Sequence, residues 1–561
     1  MGLILVAIMV EVMWGLISLT AKKKWTVDGR YNFNRSDMMT TIEGTRYFSY
    51  RENSLAIGGP NSEFYDYRNH SAKVGVNYTI NPTHQITFTG NLIRRIAPHS
   101  VMKGTNDFSA VMWGTRDSTL LRAHNRFVSS NVWNYSLNYI GKLDTLGKQV
   151  EFVATYTPIN NRSETQMLYQ EMYLPDGTLL NELPLIKNDN PGKAHVTILQ
   201  SDFILPFANG FHVNTGFKLS LSRNNSETNQ YQLVDGSWIL LSDLTFFNRF
   251  YEDIIGSYAE VQRYFGQTFI KIGVRAENTD MGVREVYNRN FFNLFPNAMV
   301  QQEIGNRKVT LNYRKFISRP GFRQMMPFRT YLNEFELSEG NMHLQPRYSH
   351  QFTVNGELTT DLFLEIGYIQ EKDLVMQLPR QEGEVTIYAP MNMDGSEWSA
   401  NLSYSRQLAV WWDINGYARS FRYTYEGRLN ADNVSESGYS YNFGISTTFR
   451  LPAKFTIDAI YNHYGRAGYG GWRDFSSNFS RLAVRKSFLK SRAQMVLAVN
   501  DLLKGQRYRS EMSAGNLYVY NVNYQDSRRV SLGFTFNFGK TTVKAATDKK
   551  LGNEEVVNRA N

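Results

Sequence analysis

The sequence contains many residues of the types that enzymes use, but their spacing matches no common catalytic arrangement. There is no HExxH zinc motif, no GxSxG nucleophile turn, no P-loop and no EF-hand calcium loop. The glycine-rich stretch GRAGYGG (465–471) lies between two predicted strands with no helix behind it, which indicates a loop. The absence of cysteine excludes disulfides, thiolate zinc sites and cysteine catalysis. We therefore expect a protein that is not an enzyme and has no catalytic residues.

Metal binding is the next chemistry that the residue types allow. Four of the nine histidines fall in predicted loops, where they can meet in space: His70, His99, His124 and His343. Their spacing in the sequence matches no metal-binding pattern. We interpret them as surface histidines and expect no metal site and no cofactor.

Two further groups of loop and tail residues are candidates for ligand contacts. Four methionines suit an apolar or haem-like ligand, although flexible methionines more often fill gaps in an interior, which is the role we favour: Met325, Met326, Met391 and Met393. The acidic pair Glu554-Glu555 lies in a polar tail and is expected to be solvated. The ligand-binding residues cannot be named from the sequence.

Composition limits the class of protein. Length alone, 561 residues, predicts about three or four domains. Hydrophobic residues make up 42% of the chain and aromatic residues 14%, and the mean hydropathy is −0.41. Only residues 1–21 approach the run of about 20 apolar residues that a membrane-spanning helix needs, which excludes a protein built of several such helices. The formal charge of +10 is spread along the chain, so we expect no nucleic-acid binding.

Apolar and polar residues alternate with a period of two along much of the chain. Between Ala72 and Ile80, apolar residues occupy the even-numbered positions, and a short turn (81–84) leads into a similar return run. The same alternation occurs in 211–221 and 530–538. Alternation across a tight turn predicts an antiparallel hairpin with one apolar face. The chain is therefore predicted to be all-β.

Short and long connections between the predicted strands alternate strictly. The ten short turns lie near Lys22–Lys24, Asn81–His84, Asp144–Lys148, Pro206–Gly210, Phe265–Gln267, Gly305–Asn306, Thr359–Asp361, Ala409–Trp411, Pro452–Lys454 and Lys490–Arg492. Much longer connections separate them, such as 97–130, 158–193, 222–250 and 318–347. This layout is typical of a transmembrane β-barrel with short periplasmic turns and long extracellular loops. Three tryptophans lie beside short turns, where an interfacial aromatic belt is expected: Trp25, Trp411 and Trp412.

The turns also give the number of strands. A strand on each side of every turn, with a terminal strand at 526–538, gives about 21. The first recognisable strand, Gly15–Thr20, runs into a short turn, so another strand is expected before it, because bacterial single-chain barrels have even strand numbers. We expect a transmembrane antiparallel β-barrel of about 22 strands, of which about 21 are recognisable.

Several stretches resemble one known family. YRKFISRPGFRQMMPF (313–328) and EGNMHLQP (339–346) resemble the barrel signature of a TonB-dependent receptor family common in Bacteroidetes. Arg319-Pro320 matches the Arg-Pro turn of that family, and Met342 replaces a proline in its GNP-x-L-x-P stretch. Further matches are GVRAENTD (273–280), LFPNAMV (294–300), RLAVRKSFL (481–489), VNDLL (499–503), FTFNFGK (534–540) and GNEEVVNRA (552–560). The resemblance covers about residues 15–561. It implies a 22-stranded barrel that is plugged by an N-terminal domain, energised by the TonB complex and imports a scarce nutrient.

The first residues depart from that family, because a signal peptide, a TonB box and a plug do not fit before Trp14. In residues 1–21, Glu11 interrupts the apolar stretch and Lys22–Lys24 follow it, which reverses the charge order of a signal peptide. A signal peptide and a helical anchor stay open as alternatives. We favour a chain that is truncated upstream or begins in a shifted frame.

Inward-facing residues can be read from the alternation. In 268–279, the apolar even-numbered residues are expected to face outward, and the inward set is Lys271, Arg275, Glu277 and Thr279. Such charges bias ion selectivity in a porin, whereas the resemblance implies that they contact a plug. Arg319-Pro320 lies where a strand leaves the barrel, so we interpret it as the base of a loop, with ligand contact as the alternative.

The sequence thus predicts an atypical N-terminus (1–13), a barrel (14–540) and a polar periplasmic tail (541–561). The expected function is uptake of an unidentified nutrient, bound by extracellular loops, through the outer membrane of a Gram-negative cell. The expected partners are outer-membrane lipid, the barrel-assembly machinery, a small-molecule, glycan or peptide ligand, and the TonB complex if a plug and a TonB box lie upstream. A passive porin-like channel and a non-transporting surface or assembly barrel remain as alternatives.

Overall fold

A computed structural model of the protein describes residues 16–22, 24–50, 53–110, 115–326, 329–333, 335–429, 432–536 and 554–560. Almost all of them lie in strands of one sheet. The strands are β1 Leu16–Lys22, β2 Trp25–Tyr50, β3 Asn53–Asn81, β4 His84–Ala110, β5 Thr115–Lys142, β6 Gln149–Tyr173, β7 Leu179–Glu182, β8 Ile186–Pro206, β9 His212–Val234, β10 Ser237–Leu240, β11 Phe246–Phe265, β12 Thr268–Val283, β13 Tyr287–Ile304, β14 Arg307–Ser318, β15 Arg329–Asn333, β16 Glu336–Glu339, β17 Arg347–Glu357, β18 Leu362–Glu382, β19 Val385–Ala409, β20 Trp412–Leu429, β21 Asp432–Leu451, β22 Phe455–Tyr464, β23 Ala467–Tyr469, β24 Trp472–Asp474, β25 Ser477–Phe488, β26 Ala493–Asn500, β27 Arg507–Ala514, β28 Leu517–Gln525 and β29 Arg529–Phe536. Three 3-10 turns (Ser242–Leu244, Phe322–Met325 and Pro452–Lys454) and one helix, α1 (Glu554–Ala560), complete the secondary structure of the described residues.

Strands from the two ends of the chain lie next to one another in the sheet. Long strands pair antiparallel with their neighbours along the chain, from β2 through to β26, and β26 pairs with β29. On its other side, β2 pairs with β28, through Thr40–Phe48 and Leu517–Gln525. Because β28 continues into β29 after three residues, the last part of the chain pairs with β26 on one side and with β2 on the other. This is the arrangement of a β-barrel.

The ten predicted short turns all lie at one end of the strands, which we name the short-turn end. They connect β1–β2, β3–β4, β5–β6, β8–β9, β11–β12, β13–β14, β17–β18, β19–β20, β21–β22 and β25–β26. Gly266 and Gly305 have φ angles of +62° and +61°, the left-handed conformation that tight hairpin turns require. With β29, these strands are the 21 that the sequence predicts.

The opposite end, which we name the long-hairpin end, differs from the prediction. The predicted loops 97–130, 158–193 and 222–250 consist mostly of strand, and β3 to β6 have 25 to 29 residues each. About 9–11 residues are enough to cross a membrane, so these strands continue beyond it as paired ribbons. Outside lipid neither face of a ribbon has to be apolar, so the alternation that identifies a membrane strand fades there.

Within the wall, one face is apolar and exposed and the other is polar and buried. On β12, Ile272 and Val274 are 61% and 43% exposed, whereas Thr279 has no exposed surface. Exposed aliphatic and aromatic side chains on a barrel wall are suited to lipid. The outward assignment of Ile272 and Val274 and the inward assignment of Thr279 are therefore confirmed. Trp25 and Trp411 are also exposed, at the short-turn end.

Among the described residues, no helix has the length and apolar character to cross a lipid bilayer. Residues 1–15, on which the interpretations of the N-terminus rest, lie outside the described residues. So do residue 23 of the first short turn, residues 537–538 of the predicted terminal strand and residues 541–553 of the predicted tail. The interpretations of these residues stay predictions.

The last strand offers a test of which face contacts lipid. Phe534 and Phe536 are 65% and 47% exposed on the outer face of β29. The double variant Phe534→Asp with Phe536→Asp puts two charges against lipid, each at a cost of about 1–3 kcal/mol. We expect membrane assembly to fail, measured as loss of the heat-modifiable barrel from membrane fractions. Thr535→Asp, on the opposite face of the same strand, is the control. A normal heat-modifiable barrel in the double variant would contradict the assignment.

Candidate functional site

The segment that joins β14 to β17 folds back into the barrel. Phe322 and Met325, in its 3-10 turn, are 1% and 4% exposed. They pack against the inner wall, in an apolar cluster with Val132, Ile159, Ala194, Val196, Ile198, Phe250, Met281, Val283 and Leu344. Arg319-Pro320 is therefore the base of an inward-folded segment, and not of a free surface loop.

Arg319 is the centre of a buried ionic network. Its side chain is 3% exposed, and Nη2 donates to the Glu277 carboxylate at 2.9 Å and to the Thr279 hydroxyl at 3.0 Å. Carboxylate oxygens of Glu252 and Glu555 lie 4.0 and 3.6 Å from its guanidinium. A buried guanidinium is tolerated only with such partners. The inward charges of β12 thus contact another part of the same chain.

The stretch that begins at Gly340 completes this segment. A Cβ atom at Gly340 would lie 2.0 Å from the Met326 carbonyl oxygen, so the close approach requires glycine. The Asn341 amide N–H donates to the Gln324 carbonyl at 2.7 Å. Leu344, at 2% exposure, anchors the end of the stretch in the apolar cluster. The stretch is therefore a tight turn: Gly340 permits the close backbone contact, and Leu344 anchors the turn on the inner wall.

Helix α1 lies against the same part of the wall. Val556 is 4% exposed in the apolar cluster. The Arg559 guanidinium donates to both carboxylate oxygens of Glu252, at 2.7 and 2.9 Å, and to the Pro320 carbonyl at 2.9 Å. Since Glu252 lies on the face of β11 opposite the exposed Ile255, these contacts are inside the barrel.

This position corrects the prediction for the last residues. The sequence placed 554–560 in a polar periplasmic tail and the pair Glu554-Glu555 in solvent. Glu554 and Glu555 are both exposed, as the sequence predicts, although a Glu555 carboxylate oxygen lies 3.6 Å from the Arg319 guanidinium. The difference from the prediction is that Val556 and Arg559 of the helix contact the inner wall. The prediction missed this because one valine and one arginine carry the docking, which is too weak a pattern to recognise.

A cavity of about 1060 Å³ lies at the long-hairpin end. It is bordered by β2, by the hairpins β23–β24 and β27–β28, and by β16 and β19 from across the barrel. Its lining is rich in arginine and aromatic side chains, among them Arg46, Arg122, Arg509, Tyr464, Phe475 and Tyr508. A cavity of this size accommodates a small-molecule ligand.

The polar groups of the cavity offer both donors and acceptors. Arg46 is held by Glu336 at 3.3 Å, and the guanidinium carbons of Arg466 and Arg509 lie 4.8 and 5.5 Å from the centroid of the Phe475 ring. Asp474 faces the cavity, and the surrounding protein raises the pKa of its carboxyl by desolvation. Aromatic rings beside charged groups are suited to a ligand that has flat faces and polar edges.

Three asparagine amides extend this polar lining. The side-chain oxygens of Asn106, Asn478 and Asn523 are buried, and none has a hydrogen-bond partner within the described part of the chain. A buried carbonyl oxygen without a partner costs about 1–3 kcal/mol. These oxygens are therefore able to accept hydrogen bonds from a ligand.

The four histidines do not form a site together. His99 and His343 are exposed, as the sequence predicts, and His70 lies 2.7 Å from the Tyr31 hydroxyl. His124 differs from the prediction, because it is only 7% exposed. Within the described ranges, no three His, Asp or Glu side chains are close enough to hold a metal ion.

The other predicted candidates have structural positions. Three of the loop methionines lie in or against apolar clusters, which agrees with a gap-filling role: Met325, Met391 and Met393. Met326 is also buried, at 8% exposure, and its sulfur lies 3.7 Å from the Ser226 hydroxyl. The glycine-rich stretch 465–471 contains β23 and part of a tight turn, in which Gly470 and Gly471 have φ angles of +56° and +90°. The predicted loop is therefore a short hairpin beside the cavity.

Comparison with known proteins agrees with this architecture. Residues 141–537 match a family model described as the outer membrane protein beta-barrel family. The fold is similar to solved structures titled copper transporter OprC (9% identity, TM-score 0.55, 88% of this chain and 80% of that one) and the ferripyoverdine receptor of the outer membrane of Pseudomonas aeruginosa bound to ferripyoverdine (9% identity, TM-score 0.52, 91% and 72%). No curated protein matches the chain by sequence. At this identity, the structural likeness concerns the fold alone.

His124 makes the long-hairpin end sensitive to acid. It lies beyond the roughly ten residues of β5 that cross the membrane next to Lys142. Burial, with Arg122 and Arg126 nearby, lowers its pKa to about 4. The free energy of unfolding of this ribbon should therefore fall by about 3 kcal/mol at most as the pH drops from 6.5 to 4, because only the unfolded form takes up the proton.

Hydrogen exchange of the β4–β5 ribbon, corrected for the intrinsic effect of pH, measures this loss of protection. The variant His124→Asn should lose the pH response between 6.5 and 4. An unchanged response in that variant would assign the acid sensitivity to other groups.

Gly340 is a test of the inward-folded segment. Gly340→Ala brings a methyl group against the Met326 carbonyl and should displace the segment at a cost of about 1–3 kcal/mol. We expect faster tryptic cleavage at Arg323, because its backbone lies in the 3-10 turn that the buried side chains of Phe322 and Met325 hold in place. Gly192→Ala is the matched control, because a Cβ there meets nothing closer than 3.9 Å. Equal cleavage rates in the two variants would contradict the tight approach.

Proposed function

The chain belongs to the outer membrane protein β-barrel family, and on this premise we propose that it is the barrel of a receptor that takes up a nutrient. It lies in the outer membrane of a Gram-negative cell. The layout of short periplasmic turns and long extracellular connections puts the long-hairpin end outside the cell. In this proposal, the nutrient binds there and passes through the barrel with energy from the TonB complex.

The observation that carries the proposal is the cavity at the long-hairpin end. It is large enough for a small-molecule ligand, and aromatic rings and arginines line it. It also contains asparagine side-chain oxygens that have no hydrogen-bond partner within the described residues. A wall that served only as a structural surface would not need such a lining. The neighbouring side chains of Phe475 and Arg509 are the part of the cavity that we expect to contact the ligand most directly.

The interior of the barrel favours controlled passage over an open pore. Phe322, Met325 and Val556 fill part of the space beside the inner wall, and the Arg319 network holds this filling in place. A passive channel needs a continuous aqueous path. Transport that is coupled to the TonB complex, in contrast, uses energy to open a path that is obstructed at rest.

Uptake in cells tests the proposal even while the nutrient is unidentified. Cells that carry the full genomic locus and cells from which it is deleted are grown in yeast-extract medium, and depletion of each compound is followed by mass spectrometry. We expect at least one compound to be taken up only with the gene, with saturable kinetics, and to stop when a protonophore removes the proton gradient. The double variant Phe475→Ala with Arg509→Ala should weaken that uptake about tenfold or more, equivalent to about 1.4 kcal/mol.

Arg307→Ala, which removes an exposed arginine at the short-turn end, is the matched control and should keep full uptake. Uptake that does not saturate and ignores the protonophore would establish a passive channel instead. If the two strains deplete the same compounds at the same rates, the barrel does not transport.

A further inference from the structure

The inner wall carries a small surface whose chemistry is complementary to helix α1. We define this surface, the docking patch, as Phe250, Glu252, Pro320 and Phe322. Glu252 is 1% exposed, and both of its carboxylate oxygens accept hydrogen bonds from Arg559. The planar guanidinium fork is matched to a carboxylate in this two-bond geometry.

Arg559 makes two further contacts with the docking patch. Its Nε donates to the Pro320 carbonyl at 2.9 Å, and its guanidinium carbon lies 4.9 Å from the centroid of the Phe322 ring. Phe322 in turn packs on Phe250, with ring centroids 4.3 Å apart. Three groups of the patch thus surround a single arginine, whose side chain is only 8% exposed, and Phe250 supports one of them.

The wall needs this arginine for its own charge balance. Arg319 is the other cation near Glu252, but it lies 4.0 Å away and donates its closer hydrogen bond to Glu277, at 2.9 Å. Without Arg559, the Glu252 carboxylate would be buried with no hydrogen bond from a cation, which is strongly unfavourable. Val556 adds an apolar anchor one turn earlier on the helix, at 4% exposure.

The docked helix borders two cavities inside the barrel. Glu555 and Val556 line part of a cavity of about 240 Å³, and Val557 and Arg559 line part of a cavity of about 560 Å³. Helix α1 therefore occupies space inside the barrel beside both cavities.

We propose that the docking patch is a binding site for the C-terminal segment of this chain, and that the docked helix obstructs the lumen until it is released. Arg559 is the key residue of the segment, and the patch recognises an arginine that follows an apolar residue by three positions. The inference goes beyond nutrient uptake and does not depend on which ligand the cavity binds.

The absence of cysteine from the chain makes a direct test possible. Val556→Cys gives the whole protein a single thiol at a position that is buried only when the helix is docked. In liposomes, a hydrophilic maleimide should label this thiol at least about tenfold more slowly than the thiol of Val410→Cys, whose position is 87% exposed. Adding Arg559→Ala to Val556→Cys should abolish the protection.

Two variants on the same helix provide controls. Glu554→Ala changes an exposed residue and should leave the protection intact. Arg559→Lys keeps the charge but loses the two-bond fork, and should give an intermediate labelling rate. A loss of heat-modifiability would show that the Arg559→Ala variant fails to assemble. In that case the Arg559→Lys variant is compared with the unaltered chain instead.

Single-channel conductance of the same proteins in planar bilayers tests the obstruction. We expect a higher conductance for Arg559→Ala than for the unaltered chain, and no change for Glu554→Ala. Equal labelling of the Val556→Cys and Val410→Cys proteins would overturn the docking, and protection that survives Arg559→Ala would overturn the role of Arg559. Release of the helix without a change in conductance would overturn the obstruction.

Discussion

Pairing of backbone hydrogen-bonding groups between neighbouring strands is the constraint on which the rest of this structure depends. A bilayer offers no water to unpaired N–H and C=O groups, so a sheet crosses it by pairing its strands around a ring. Here the ring is joined where Thr40–Phe48 of β2 pairs with Leu517–Gln525 of β28, although these strands are almost the whole chain apart. Every long strand then has one face toward lipid and one toward the lumen, which accounts for the alternation in the sequence.

The lumen creates a second requirement, because inward-facing charges need partners. Glu252 and Glu277 face inward from β11 and β12, and Arg319 and Arg559 are delivered to them by an inward-folded segment and by helix α1. The segment itself is fixed by a glycine that permits a backbone contact and by buried apolar anchors. The Arg-Pro and Gly-Asn stretches of the sequence therefore have a physical role, which is to neutralise and fill one side of the lumen.

The sequence permits prediction of the strands but not of these contacts, and the reason is physical. Turn residues and period-two alternation are local signals, so the ten short turns and the outward faces of strands such as β12 are predicted correctly. Glu252 and Arg559 are 307 positions apart, and nothing local relates them. The burial of His124 and the cavity at the long-hairpin end likewise arise from ribbons that pack beyond the membrane, where alternation carries no information.

The inward-folded segment between β14 and β17 connects the two places of functional interest. Near its start, Pro320 and Phe322 hold Arg559 of helix α1, and further along Glu336 binds Arg46 in the wall of the cavity at 3.3 Å. A ligand that displaced Glu336 from Arg46 would therefore act on the same stretch of backbone that forms the docking patch. The described anchors of that stretch, Phe322, Met325 and Leu344, are buried, and closely packed residues transmit a shift more readily than they absorb it. The fold thus contains a covalent path along which occupation of the cavity can influence the state of the lumen.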